Sequence, residues 1–475
     1  MADSVWSIDP QNSCRYLALH VIDSCNLTCS YCFAYKSEKQ AKSSKMAPQT
    51  AIQAVNKILS CSDTTHLKIL FFGGEPLLVG HDWFRTVCSA ISKCAKSHSK
   101  TIELAITTNG TRIDNAAARL FSDLNIGVCI SIDGPPELHN KSRGCGADVL
   151  SGLKALHAKK IIPNSITVLN PYNVRHVKEV LAFLEKNGIT KGRFTPMTYT
   201  GRAKYTSFEF NTNFEVIIAA VQVFQHMLER KGEGFVDLPL MRRARMYSAV
   251  RNGQPEVPKT LDCYTRHCWA GIGYLAVNHN GNMYPCSRSI SEDFRFGSLA
   301  NGVDKRKTRQ ILSEFHNNGM NLQHCETCEA CIICFAGCSA HNKVDARNFY
   351  LECAITKALY EYFQKNEAGV LELDQCLSQK FNSVNLQTQK DNMAMRVLAS
   401  LREGGFRIVT GRKDALVMQK GTSSFYLIDT STNSILGVEE DVVEYIRHLP
   451  DKTDNLSADG LTEPRLSADA QKPRR

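Results

Sequence analysis

Three cysteines, Cys25, Cys29 and Cys32, lie in the stretch HVIDSCNLTCSYCFAYK with the spacing C-x3-C-x2-C. Zinc and iron–sulfur sites usually take four protein ligands, so this trio is one ligand short. One reading closes the set as a structural zinc site, completed by a nearby imidazole such as His20. The other places the three thiolates on three irons of a [4Fe–4S] cube. The remaining iron is then open to a small molecule, as open positions are at catalytic metal sites.

A second group of cysteines crowds residues 263–353: Cys263, Cys268, Cys286, Cys325, Cys328, Cys331, Cys334, Cys338 and Cys353. The first three read C-x4-C-x17-C, and Cys325, Cys328, Cys334 and Cys338 read C-x2-C-x5-C-x3-C. A C-x2-C turn can aim two thiolates at one metal, and paired loops complete four-ligand sites. Eight of these residues suffice for two closed sites, which leaves one over. Spacing alone does not separate zinc from iron. The remaining cysteines, Cys14, Cys61, Cys88, Cys94, Cys129, Cys145 and Cys376, are dispersed and read as inert packed thiols.

The rest of the chain sets the context. Its 475 residues suffice for two to four domains, so disulfide staples are not needed for stability. The polar start MADSVWSIDPQNSC has no apolar signal region. No apolar run is long enough to cross a membrane. A cytoplasmic location follows, where clustered cysteines serve as metal ligands or catalysts rather than disulfides. The net charge is +10, but local runs such as MRRAR (241–245) and DKRKTR (304–309) read as solvated helix faces. Without an aromatic and basic recognition helix, a nucleic-acid partner is not expected. A zinc-rich interaction scaffold is the non-enzymatic alternative.

The trio must be positioned by what surrounds it. Strand-like runs at 16–22, 66–74, 102–110, 126–134, 162–170 and 192–197 alternate with helix-like segments at 47–61, 82–97, 115–124, 148–160 and 173–188. Such alternation gives βα units around a parallel sheet, either a partial or complete barrel or an open doubly wound sheet. The trio directly follows the first strand, at the end where such folds place chemistry. A helix is expected at 214–232, and another at 354–366 after a cysteine-rich stretch without long helices. Near the C-terminus, MAMRVLASLREGG and EEDVVEYIRHL read as helices flanking strands FRIVTG, ALVMQ and FYLID. The polar residues 451–475 read as disordered.

The C-x3-C-x2-C motif, with Tyr31 and Phe33 around the last cysteine, resembles the radical S-adenosylmethionine (SAM) family. That resemblance implies an α/β fold, a partial (β/α)6 TIM-like barrel, with the missing fourth ligand supplied by SAM itself. GGEPLL (73–78) is similar to the family's glycine-rich motif, so Gly73, Gly74, Glu75 and Pro76 are expected at SAM, together with Tyr31. TTNGT (107–111) and SIDGPPELHNKSRG (131–144) match later strand ends. They place Asn109, Ser131 and Asp133 near the ribose or substrate, and Arg143 on the SAM carboxylate. Asp133 is the candidate catalytic residue. The chemistry implied is reductive cleavage of SAM to a 5′-deoxyadenosyl radical that abstracts a substrate hydrogen.

The second cysteine field resembles the SPASM extension, which carries two auxiliary [4Fe–4S] clusters, for three in all. The resemblance assigns Cys263, Cys268, Cys286 and Cys338 to one, and Cys325, Cys328, Cys334 and Cys353 to the other. Cys331 is left over, or replaces Cys334 or Cys328. The implied organisation is an N-terminal segment 1–14, a radical SAM core 15–235, a SPASM domain 236–366, a small α+β unit 385–450 and a tail 451–475. Proteins with this extension mostly modify peptides, which implies a precursor peptide or protein substrate and an electron donor such as flavodoxin or ferredoxin. Sulfatase-maturing enzymes carry an aspartate base directly after the G-x4-C cysteine, where this chain has Ser287, followed by Arg288. Serine cannot take up a proton as a carboxylate does. The expectation is therefore a maturase of ribosomally made peptides that forges thioether or carbon–carbon cross-links, with sulfatase maturation as the alternative. The C-terminal unit faintly resembles modules that bind a precursor's leader peptide by strand addition.

Overall fold

The computed structural model describes residues 14–34, 44–62, 64–204, 213–253, 268–316, 325, 327–334 and 337–382, plus the backbone of four later strands. They divide between two compact units, the larger drawn from 8–248 and 261–380 and the smaller holding the four later strands.

Six parallel strands carry the larger unit: β1 (Tyr16–Ile22), β2 (His66–Gly73), β3 (Thr101–Thr108), β4 (Ile126–Ser131), β5 (Asn164–Leu169) and β6 (Lys191–Pro196). They lie side by side in chain order, and the two-residue strand β7 (Val236–Asp237) continues beyond β6. A doubly wound sheet would reverse its order at a switch point. Here there is no reversal, so successive crossovers wind the same way, and the partial barrel is the form adopted. β1 is buried from Leu17 to Ile22, as expected for a strand covered on both faces.

The covering helices are α1 (Pro48–Cys61), α2 (His81–Ser97), α3 (Asn115–Asp123), α4 (Pro136–Ser142), α5 (Gly146–Ala158), α6 (Val177–Lys186) and α7 (Asn213–Glu229). Each packing face is an apolar stripe; α2 turns Trp83 and Phe84 onto Phe71 of β2, with ring centroids 5.9 and 5.4 Å apart. Asp114 caps α3, accepting from the Ala117 amide at 2.7 Å. The expected start of α6 at residue 173 is late by four residues. Asn170 and Asn173 instead build a turn, with Asn173 Oδ1 accepting from the Asn170 amide at 2.8 Å.

The cysteine-rich region does not form a sheet of its own. After α8 (Leu238–Arg251), β8 (Tyr274–Asn278) pairs in parallel with the free side of β1, from Tyr16↔Tyr274 to His20↔Asn278. Antiparallel β9 (Asn282–Tyr284), β10 (Gly297–Ser298) and β11 (Gly302–Val303) extend it to eleven strands. Contrary to expectation, a twelve-residue helix, α9 (Lys305–His316), lies in this region. Beyond it come α10 (Ser339–Asn342), α11 (Arg347–Lys365) and α12 (Glu367–Asn382). The basic run of α8 is not a solvated face throughout. Arg243 is buried, donating to the Ile333 carbonyl at 2.9 Å and Thr356 at 2.8 Å, and pairing with Glu352.

The smaller unit contributes four antiparallel strands in chain order, β12 (Phe406–Gly411), β13 (Ala415–Lys420), β14 (Ser424–Asp429) and β15 (Ser434–Val438). Three were expected; β15 is short and was not. The two flanking helices, the N-terminal segment 1–13, the tail 451–475 and Cys263 lie outside the described residues.

Candidate active site

The trio's loop leaves β1 and is held by the strand ends beside it. The Gly74 amide donates to the Ile22 carbonyl at 2.9 Å, and the Glu75 amide to the Ser24 carbonyl at 3.0 Å. This approach requires glycine: a Cβ on Gly74 would stand 2.0 Å from the Ser24 oxygen, and one on Gly73 2.2 Å from that of Ile22. The glycine pair thus packs the cysteine loop onto the end of β2. Pro76 opens a short 3-10 helix, Pro76–Val79.

Glu75 is fully buried and ties three strand ends together. Its carboxylate accepts from the Leu77 amide at 3.0 Å, the Thr108 hydroxyl at 2.8 Å and the Asn109 amide at 2.7 Å. Burial raises its pKa, against the lowering effect of those bonds and of Arg112. Asn109 reaches back to the loop, its Nδ2 2.9 Å from Asn26 Oδ1 and 3.7 Å from Cys25 Sγ.

The far side of the loop rests on the end of β4. The buried Tyr31 donates its hydroxyl to Asp133, and the Ser30 amide donates to the Ser142 carbonyl at 3.0 Å. Asp133 also accepts from Ser142 Oγ at 3.0 Å, the Val168 amide at 3.0 Å and Asn170 Nδ2 at 3.3 Å. Arg143 completes the group, with Nε 3.0 Å from Asp133 Oδ2 and its guanidinium 5.1 Å over the Tyr31 ring. Fully buried and engaged on both oxygens, Asp133 presents the geometry of a positioning carboxylate, not of a base facing substrate. Arg143 is likewise turned to Asp133. Ser131 stands half-buried at the end of β4.

Two residues that pattern reading missed clamp the loop from beyond β6. Arg202 donates its amide to the Cys32 carbonyl at 3.0 Å and Nη1 to the Cys29 carbonyl at 2.7 Å. Gly201, at φ +55°, brings this backbone in; a Cβ there would lie 2.2 Å from the Cys32 oxygen. The only sequence signal was a glycine just past a predicted strand.

Cys25 is exposed at residue level, yet its thiol is pushed up to about 11, chiefly by burial and then by nearby Glu75 and Cys29. Burial also raises Cys29, and Cys32 adds to it while Arg143 opposes. Ligation would therefore release protons. His20 turns its Nδ1 to Asp23 Oδ1 at 3.2 Å, and among the described residues its donor atoms group with Asp23 and His279 rather than with the trio. Neighbouring thiols on one pinned loop fit a cluster bound by three cysteines.

The second field sorts into two groups. Cys286 is buried in a patch with Tyr274, Tyr284 and Ala340, and Cys268 and Cys338 pack against it. Cys325 has Cys353, Cys328 and Cys331 as the thiols acting most strongly on it. Cys331, left over by spacing, thus stands among the second group. The two cysteine regions meet at Arg288, whose guanidinium lies 4.9 Å over the Phe33 ring with Nη1 3.0 Å from His341 Nε2. Burial, then Arg288, holds His341 well below its usual pKa, so it is a neutral acceptor.

A family model described as the radical SAM superfamily matches residues 19–184, the span from β1 through α6 that carries the trio, the glycine motif and Asp133.

The chain belongs to the radical SAM superfamily.

Its α/β fold with a cysteine-rich C-terminal region is that of a radical SAM enzyme with a SPASM-type domain. Homologues in the superfamily use a [4Fe–4S] cluster and SAM. The chain is similar to the cysteine-type anaerobic sulfatase-maturating enzyme of Clostridium novyi, 23% identical over 72% of this chain and 92% of that one. An uncharacterized protein of Methanocaldococcus jannaschii is 30% identical, covering 57% of this chain and 84% of its own. A solved structure of anSMEcpe with bound AdoMet aligns at a TM-score of 0.63 and 21% identity, over 75% of this chain and 98% of that one. No helix among the described residues is long and apolar enough to cross a membrane.

Proposed function

We propose that this radical SAM enzyme is a maturase that oxidatively joins two positions of a ribosomally made precursor peptide through a thioether or carbon–carbon bond. The observation that carries this reading is Ser287. It follows Cys286 where the sulfatase-maturing pattern has a carboxylate base, and it accepts a hydrogen bond from the Tyr274 hydroxyl at 2.7 Å. A serine held this way is a poor proton acceptor, which favours chemistry that needs no base there.

Cys25, Cys29 and Cys32 would hold the SAM-binding cluster, with Gly73–Pro76, Asn109 and Ser131 at the strand ends beside it. Tyr31, Asp133 and Arg143 would keep the loop fixed. Cluster and SAM together supply one-electron cleavage and hydrogen abstraction. Cys268, Cys286 and Cys338, with Cys263, would hold one auxiliary cluster, and the Cys325 group the other. Such clusters would supply electron transfer for the second oxidation equivalent, and a flavodoxin- or ferredoxin-like protein would serve as the electron donor. Forming a thioether removes one C–H and one S–H hydrogen, a two-electron oxidation. A reducing, cytoplasmic setting would keep these thiolates available as cluster ligands.

Sulfatase maturation remains the second reading, favoured by the likeness to sulfatase-maturating relatives over most of their length. The test incubates anaerobically reconstituted enzyme, SAM and reductant with a precursor peptide encoded beside its gene, or with a sulfatase-derived cysteine or serine peptide. Loss of two hydrogens with a cross-linked fragment pattern supports the proposal. An aldehyde on the sulfatase peptide, with the precursor untouched, overturns it. Reconstituted protein should carry about twelve irons.

A further inference from the structure

Among the described residues, one set of histidine and carboxylate side chains converges as metal ligands do. His20, Asp23 and His279 bring their donor atoms within 4.8 Å of one another. His20 Nδ1 lies 3.2 Å from Asp23 Oδ1, and His279 Nδ1 lies 3.2 Å from Asp23 Oδ2. Strand pairing creates the set: Asn278, which precedes His279, is the register partner of His20.

The plainer reading is an aspartate accepting hydrogen bonds from two imidazoles. At His279 the geometry argues against it. Its Nδ1 is buried and close to Asp23, yet not aligned as a hydrogen bond to it. A separation near 3.2 Å without that alignment is what two ligands of one tetrahedral ion show, since bonds of about 2.0 Å place ligand atoms roughly 3.3 Å apart. Asp23 and His279 also line a cleft of about 390 Å³, together with Asn280, Tyr284 and Glu292. An ion there would have an open side.

We propose that His20, Asp23 and His279 bind a divalent cation of the zinc class through two imidazole nitrogens and one carboxylate, with the remaining position facing the cleft. The site stands on strand pairing and donor geometry, independently of the reaction proposed above. The bound ion ties the start of the cysteine loop, two residues before Cys25, to the β8–β9 turn.

The test uses the full chain with its clusters reconstituted, so that cluster thiols are occupied. The protein is exposed to zinc, dialysed and assayed for zinc and iron, and its zinc K-edge absorption is recorded. The expected result is one zinc per chain beyond the iron, with nitrogen and oxygen neighbours at about 2.0–2.1 Å. His279→Ala and Asp23→Asn should lose the zinc and keep the iron. His279→Cys should retain it with one sulfur at about 2.3 Å, which guards against misfolding of the other variants. No retained zinc, an all-sulfur shell in the wild type, or undiminished zinc in folded His279→Ala would each overturn the proposal.

Discussion

Tyr31 donates its hydroxyl to Asp133, and Arg143 closes over both, 5.1 Å from the ring and 3.0 Å from the carboxylate. The residue before Cys32 is thereby fastened to the end of β4. Tyr31→Phe removes one of several donors to a buried carboxylate and should lower stability by about 1–3 kcal/mol. Asp133→Ala strands Arg143 in the interior and should cost about 3–5 kcal/mol. Chemical denaturation of the cluster-free protein measures both. Unchanged stability in Asp133→Asn, with turnover lost, would make Asp133 catalytic rather than positioning.

Gly74→Ala should be far more damaging than Gly80→Ala, although Gly80 has the more unusual backbone, at φ +98°. A Cβ on Gly74 meets the Ser24 carbonyl at 2.0 Å, whereas one on Gly80 meets nothing within 4 Å. Gly80→Ala bears only conformational strain, of about 1–3 kcal/mol. Gly74→Ala must displace the cysteine loop, so iron uptake should fail as melting drops. Equal iron contents in the two variants would contradict this account of the glycine pair.

Cys331→Ala should lower iron content in the second group as Cys353→Ala does, by about four irons per chain if each closed cluster is a cube. Family spacing points instead to Cys334. Iron and sulfide analysis of both single variants decides between them. Full iron in Cys331→Ala with loss in Cys334→Ala would restore the spacing-based assignment.

His139 should make the protein acid-sensitive. Burial, then the neighbouring Arg143, lowers its pKa from the usual 6.5 to about 4, with Asp133 opposing. Its Nδ1 accepts from the Asp133 amide at 3.2 Å, which requires the neutral ring. The unfolded chain takes up this proton near pH 6.5 and the folded one only near pH 4. The stabilisation is therefore full above pH 6.5 and lost as pH falls through that window, by on the order of 3 kcal/mol. Denaturation of the cluster-free protein from pH 7 to 4 should show this loss, and His139→Gln should flatten it.

The six barrel strands and most of their helices were legible because each is a sustained apolar or amphipathic run. The segments β8 to β11 were not: they are two to five residues long and interrupted by turns and cysteines. The trio was legible because ligand spacing is local. Arg202, Arg243 and His279 were not, because their partners lie far away in sequence and are reached only through folding. The contacts of Asp133 are remote in the same way: its strand end suggests a catalytic role, and the side chains around it give it an anchoring geometry.

The parallel pairing of β1 with β8 has a practical bearing on expression. β1 is an inner strand, and among the described residues its side from Tyr16 to His20 that faces away from β2 is covered by residues 273–278. A fragment cut after residue 235, however natural it looks as a boundary, would bare that backbone beside the cysteine loop. An exposed apolar edge of this kind recruits other chains. The half-protein should precipitate even though it retains every residue of the trio's own shell up to Arg202.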